Sequence, residues 1–346
     1  MKNWLTRLFG GADPAPVVSP VAAPASPSSA GGAPGAAAAA PAGPSTQALP
    51  PDHATLARRL DLAFCRWLTD PLRGDAAAAA EQRILAEIAR LAGNPAAAGD
   101  LVPRVPAVVP QLLKSLRDES VSSADLARQI ARDAVLVAET IREANSPLFR
   151  RGAPVRSIDA AVMVLGESGL RILLARVAFR PIINMQGGPG GVARLVAPRL
   201  WAQSDKCALA ASLLAADLGA DPFEAYLAGL MLNLGLIVAL RIIDRLEQPL
   251  VPQSDAFCVD LLAGARELSA AIAAHWELPP FVAGAIVRAG RPGTIPLAEA
   301  LGRADLLAKL RLLVDHGVYA ADEPSLQPLL AGAAGDCFAR LGDAGA

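Results

Sequence analysis

Apolar side chains recur every three or four residues along most of the chain after position 52, and this spacing predicts amphipathic helices. In the first repeat, one helical face carries Leu56, Leu60, Phe64 and Trp67. The inner face of the next helix carries Ile84, Ile88 and Leu91. Gly93-Asn94-Pro95 ends that helix. Residues 51–98 are therefore predicted to form a helical hairpin, and we expect it to pack on the segment that follows it.

The remainder of the chain also shows helical patterns. Ser122 followed by Asp125 resembles a capping box, which opens a helix. We expect a helix from about Val192 to Gly219 with an interruption near Pro198, and a single helix over 325–341. No stretch shows period-two alternation, so the sequence predicts an all-α fold, a multi-helix bundle with the hairpin appended.

The stretch Tyr226–Leu240 is apolar on every face except for Asn233. Such a helix is either the central helix of a bundle or a membrane span. A span needs about 20 apolar residues, and charged residues at Glu224 and Arg241 make this run too short. We predict a buried core helix.

The N-terminal part of the chain has a different composition. Within residues 1–11, Trp4, Leu8 and Phe9 recur at helical spacing among basic residues. This short amphipathic segment could fold on a membrane surface or in a partner's groove, or it could be a frayed tail. Residues 12–50 are rich in Pro, Ala, Ser and Gly, which predicts a disordered linker that tethers the segment to the hairpin.

Charge and cysteine content narrow the function classes. The net charge is −1, so no global basic field favours nucleic acid, which is an unlikely partner. The four cysteines are far apart and form no CxxC pair, so neither a zinc site nor a disulfide scaffold is predicted. His53, His275 and His316 all fall near helix ends and are expected to be structural. We expect a cytoplasmic protein, with a peripheral position at the inner membrane face as a second option.

Several short motifs occur in a fixed order. They are Val-Pro-Arg-Val-Pro-Ala-Val-Val at 102–109, Ala-Arg-Asp at 131–133, Ala-Asn-Ser-Pro-Leu-Phe at 144–149, Leu-Trp at 200–201, Ala-Gly-Leu at 228–230 and Trp-Glu-Leu-Pro-Pro at 276–280. This order resembles the HDOD family, most strongly over 101–290 within a domain that we place at 101–346. The resemblance implies an all-helical relative of the HD metal-dependent phosphohydrolases, used as an output module in bacterial signalling.

The resemblance also implies where a metal site would lie. In HD enzymes a metal-binding histidine follows the Leu-Trp motif, and a His-Asp pair lies on the core helix. Here the first position falls at Gln203 or Ser204, and the pair becomes Leu232-Asn233. Further histidine positions fall near Ala265 and at Arg288-Ala289-Gly290. Leucine has no donor atom, and neutral amides are poor substitutes for imidazole and carboxylate. We therefore expect no metal, no cofactor and no catalysis.

Asn233 needs a hydrogen-bond partner if it is buried, because an unpaired amide costs about 1–3 kcal/mol. We expect the partner to be Gln203 or Ser204. The alternative is a remnant polar pocket that binds a small ligand such as a nucleotide.

The candidate partner-binding residues outside the N-terminal segment are Arg150, Arg151 and Arg156. With other arginines between 142 and 180 they could form a basic surface for an acidic partner, although such clusters are often solvated faces. The sequence thus favours a non-catalytic signalling protein that binds other signalling proteins. The alternatives are a residual metal-dependent phosphohydrolase and a nucleic-acid-binding regulator.

Overall fold

A computed structural model describes residues 53–72, 74, 78–98, 101, 121–131, 134–146, 149, 152–183, 191–246, 250–291 and 295–343. The described residues form twelve α-helices and no β-strand, which confirms the all-α prediction. The amphipathic segment with Trp4, Leu8 and Phe9, the linker 12–50, Arg150 and Arg151 all lie outside the described residues.

The twelve helices are numbered in chain order. They are α1 His53–Thr69, α2 Ala78–Gly93, α3 Ser123–Ile130, α4 Ala134–Ala144, α5 Ile158–Ile183, α6 Val192–Leu218, α7 Pro222–Met231, α8 Leu234–Arg245, α9 Asp255–His275, α10 Pro280–Arg288, α11 Pro296–Asp315 and α12 Ala333–Asp343. The capping box of α3 is confirmed, since the Ser122 hydroxyl accepts a hydrogen bond from the Asp125 N–H and the Asp125 carboxylate accepts one from the Ser122 N–H.

Helix α6 lies at the centre of the bundle and packs against α7, α8 and α11. Helix α9 packs against α8 on one side and against α10 and the hairpin on others. Helices α3 and α4 pack on α5, which in turn contacts α6 and α7. The core is continuous from the hairpin to α12, so one hydrophobic cluster holds all of these elements.

Helices α1 and α2, which the sequence predicted as a hairpin and which we continue to call the hairpin, are integral parts of this core, and each makes its main contacts with later helices rather than with the other. The predicted apolar faces of α1 and α2 are buried, and they pack mainly on α9 and α11, far along the chain. Residues 102–120, where we expected its neighbour, lie outside the described residues. Polar contacts add to the docking: Arg59 pairs with Glu323 at 2.6 Å, and Arg199 donates to the carbonyl of Trp67 while its guanidinium lies 5.0 Å from the Trp67 ring centroid.

The predicted core helix is interrupted. Helix α7 ends at Met231 and α8 begins at Leu234, with Asn233 in a non-helical conformation at φ −101° and ψ 6°. Ser269 of α9 stabilises this break, because its hydroxyl donates to the Leu232 carbonyl at 2.7 Å and accepts from the Gly235 N–H at 2.8 Å. By length and composition Pro222–Arg245 could cross a membrane, but it is buried throughout inside the fold, as expected for a core segment.

Two other helix predictions were wrong. Helix α6 continues through Pro198 without an interruption, and it ends at Gly219, whose φ of 78° suits glycine. The region predicted as one helix over 325–341 is a 3-10 helix, Pro324–Leu330, followed by α12. Gly332, with a φ of 60°, lies between them and separates the two helices.

Candidate functional site

The positions that the resemblance relates to metal ligands lie close together in the fold. Asn233, at the break between α7 and α8, donates from Nδ2 to the Ser204 hydroxyl of α6 at 3.3 Å. This confirms Ser204 as its partner. Gln203 instead donates from Nε2 to Asp305 Oδ1 of α11 at 2.9 Å, while Leu232 is buried beside them. The candidate positions therefore form hydrogen bonds within the protein.

Asp305 is the centre of a buried charged group that we call the Lys309 cluster, formed by Asp61, Gln203, Arg266, Asp305 and Lys309. Lys309, one turn after Asp305 on α11, places its ammonium nitrogen 2.8 Å from Asp305 Oδ2 and 2.6 Å from Asp61 Oδ1 of the hairpin. Arg266 of α9 lies 3.0 Å from the same Asp305 oxygen. Two cations thus neutralise two carboxylates at this site.

Packing and charge keep Lys309 in the ammonium form. Its side chain is only 3% exposed, and the ammonium lies 5.4 Å from the ring centroid of Phe64. Burial by itself lowers the pKa of Lys309, but the carboxylates of Asp305 and Asp61 outweigh burial and raise it above its usual value. Lys309 therefore stays protonated at neutral pH and balances the carboxylates that surround it.

A cavity of about 670 Å³ opens above the Lys309 cluster, and we call it the hairpin cavity. One wall is the start of α1, with His53, Ala54 and Ala57. The other walls come from α9, α10 and α11, and Asp61, Arg266 and Asp305 contribute to the lining. The cavity is within the size range of ligand pockets.

A second buried ionic group joins α4, α5 and α6. Arg176 pairs with Glu143 and with Asp205, whose Oδ2 lies 2.8 Å from its Nη2, and Arg180 pairs with Glu143 at 3.0 Å. Burial raises the pKa of the Asp205 carboxyl despite the adjacent Arg176. Burial raises the pKa of the Tyr226 phenol well above its usual value, with the Asp205 charge adding to the effect.

This second group changes the interpretation of the basic region. Arg176 and Arg180 form ion pairs with acidic side chains inside the protein, and Arg171 is buried with its guanidinium near Glu167. Arg156, by contrast, is exposed at the start of α5. Within α5, Met163 is 86% exposed and Val164 is 41% exposed, so two neighbouring apolar side chains face solvent.

The remaining histidines and cysteines form no second site in the described part of the chain. His316 packs on Trp67 with the ring centroids 4.8 Å apart, and His275 is exposed at the end of α9. All four cysteines are free and buried. Among the described residues, no three His, Cys, Asp or Glu side chains are grouped so as to hold a metal ion.

Sequence reasoning missed Asp61, Arg266, Asp305 and Lys309. The i,i+4 spacing of Asp305 and Lys309 was a signal, but the same spacing is common on solvated helix faces. The positions Ala265 and Ala289, which we related to histidines, are buried, and Arg266 donates to the Ala289 carbonyl at 3.0 Å.

Solved structures show the same fold. A provisionally named metal-dependent phosphohydrolase from Shewanella amazonensis SB2B is 19% identical with a TM-score of 0.54, covering 77% of this chain and 99% of its own. An HDOD domain protein of unknown function from Geobacter sulfurreducens is 20% identical with a TM-score of 0.51, covering 82% of this chain and 89% of its own. A provisionally named signal transduction protein from Marinobacter aquaeolei VT8 is 19% identical with a TM-score of 0.51, covering 84% of this chain and 63% of its own.

The family comparison is specific. No curated protein matches the chain. The HDOD domain family matches residues 102–292, which is more than half of the 346 residues. The protein therefore belongs to the HDOD domain family.

Proposed function

We propose that this HDOD protein is a non-catalytic regulator in bacterial signalling that acts by binding another protein. The observation that carries the proposal is the position of Lys309. A divalent metal needs several oxygen or nitrogen ligands directed at one point. Here the two carboxylates of the Lys309 cluster, Asp61 and Asp305, pair with an ammonium, and the amide of Gln203 donates to Asp305. The donor set does not fit a metal centre.

The partner-binding surface that we propose lies at the start of α5. Arg156 is exposed just before the helix, and Met163 and Val164 within α5 present apolar side chains to solvent. Apolar side chains next to a cation suit a partner with an apolar pocket and an acidic rim. Arg150 and Arg151, outside the described residues, precede this surface in the sequence and would add to its charge.

Two measurements test the proposal. The full chain with Mn²⁺ and bis(p-nitrophenyl) phosphate is expected to give no turnover above a metal-only blank, and saturable turnover would show a residual phosphohydrolase instead. In parallel, the tagged full chain is used to capture proteins from lysate of the source organism, with identification by mass spectrometry. A signalling protein is expected with the wild type and is expected to be lost with Met163→Asp.

A matched control separates binding from folding. Val318 is another exposed apolar residue, at 44% exposure after α11, away from this surface in the sequence. Val318→Asp is expected to retain the captured protein. Equal loss with both variants, or with neither, would contradict the α5 surface.

A further inference from the structure

We propose that the hairpin cavity is the docking site for the chain's own N-terminal segment, residues 1–11. His53 and Ala54 are the first described residues of α1, and both line the cavity. The 52 preceding residues therefore join the described structure at the rim of this cavity.

The linker is long enough for the N-terminal segment to return to the cavity. A linker with the Pro, Ala, Ser and Gly composition of residues 12–50 has an r.m.s. end-to-end distance of roughly 35 Å if it behaves as a random coil. This length is ample for the segment to return to the rim. Tethering at such a length gives an effective concentration on the order of 1 mM, so that even a weak contact is largely occupied.

The lining of the cavity suits an apolar, basic segment. Small and apolar side chains line the cavity, among them Ala57, Ala263 and Val287, and they leave room for aromatic rings. Three of the lining carboxylates are paired with cations: Asp61 with Lys309, Asp305 with Lys309 and Arg266, and Glu299 with Arg303. Two charged lining side chains, Glu267 and Arg291, have no ion pair among the described contacts, and Glu267 is the one that a basic peptide would meet.

The N-terminal segment has the complementary chemistry. Trp4, Leu8 and Phe9 are the apolar side chains that would enter the cavity, and Lys2 and Arg7 are the cations that would face Glu267. Docking would remove these apolar side chains from water, which favours the bound state. It would also make the segment unavailable to a membrane or a partner, so this contact would be autoinhibitory.

The test uses purified full-length protein and a fluorescein-labelled peptide of residues 1–11, with binding followed by fluorescence polarisation. A triple variant, Trp4→Ala, Leu8→Ala and Phe9→Ala, should leave the cavity open and bind the peptide. With a peptide Kd of about 100 µM and an effective concentration of about 1 mM, the wild type should bind the peptide about tenfold more weakly. No partner is present, so the result is independent of the function proposed above.

Substitutions on α9 then locate the contact. Ala263 is exposed and lines the cavity, so Ala263→Trp in the triple variant should fill the cavity and weaken peptide binding at least tenfold. Ala274 is exposed on the same helix and does not line the cavity, so Ala274→Trp should leave binding unchanged.

Several outcomes would overturn the proposal. These are no binding to the triple variant, equal binding to the triple variant and the wild type, and binding that Ala263→Trp does not affect. If the peptide fails to bind and the wild type sediments with vesicles of phosphatidylglycerol and phosphatidylethanolamine, the segment contacts membranes instead. The segment could instead dock in the cavity of a second copy of the chain. In that case the mass in solution would double with concentration, and Ala263→Trp would restore the monomer.

Discussion

Replacing Lys309 by methionine isolates the charge of the Lys309 cluster, because methionine keeps an unbranched stem and removes the ammonium. Removing one partner of a buried ion pair costs about 3–5 kcal/mol. Asp305 would keep Arg266 and Gln203, and the side chain of Asp61 is 31% exposed, so the lower figure applies. We expect a loss of about 3 kcal/mol in the free energy of unfolding, measured by urea denaturation, and a drop in Tm of about 6–12 °C.

The control for this variant is Arg303→Met on the same helix. Arg303 pairs with Glu299, but the two side chains are 52% and 41% exposed, so its loss should change stability by no more than about 0.5 kcal/mol. The double variant Lys309→Met with Asp61→Asn should lose about 1–2 kcal/mol less than the sum of the single variants, because the two groups are in contact. If Lys309→Met costs no more than Arg303→Met, the proposed contribution of the cluster to stability is refuted.

The folded-state pKa of Lys309 is raised, so the stability that its charge contributes is complete below the unfolded value near 10.4 and is lost as pH rises through the folded value. The urea midpoints of the wild type and Lys309→Met should therefore converge in strongly alkaline buffer and stay apart at pH 7. Lys309→Ser leaves Asp61 and Asp305 without their shared cation, so Mn²⁺ should raise its Tm and leave the wild-type Tm unchanged in a thermal shift assay. Gly235→Ala should lower Tm severely, because a Cβ there would lie 2.0 Å from the Ala265 carbonyl oxygen. In the control Gly284→Ala, the nearest atom to the new Cβ lies at 3.8 Å, and the substitution should stabilise α10 by about 0.5–1 kcal/mol. Equal Tm values for these two variants would contradict this account.

The parts of the fold that could be predicted from sequence are those that local pattern determines. The face of α1 is marked by an apolar residue every three or four positions, and the helix buries that face. The capping box at Ser122 needs only residues three apart, and it forms. Neither feature depends on distant parts of the chain.

The features that could not be predicted depend on contacts between distant residues. A stretch that is apolar on every face has no alternation of apolar and polar positions to mark a helix end. The pattern therefore does not show that α7 and α8 separate at Asn233. The hydroxyl of Ser269, which stabilises the break, comes from a different helix. The Lys309 cluster likewise needs α1, α6, α9 and α11 to meet, and the charge pattern of α11 alone does not distinguish it from a solvated face.

The contact between Asp61 and Lys309 also limits which part of this chain recombination could transfer to another protein. The HDOD match spans residues 102–292, and the two partners of this contact lie outside it on opposite sides: Asp61 in the hairpin before it and the buried Lys309 in α11 after it. A recombination event that joined residues 102–346 to another signalling protein without the hairpin would leave that lysine with one carboxylate fewer and expose the apolar surface on which α1 packs. We therefore expect recombination to exchange the hairpin, residues 102–292 and α11 together, as one unit longer than the family match.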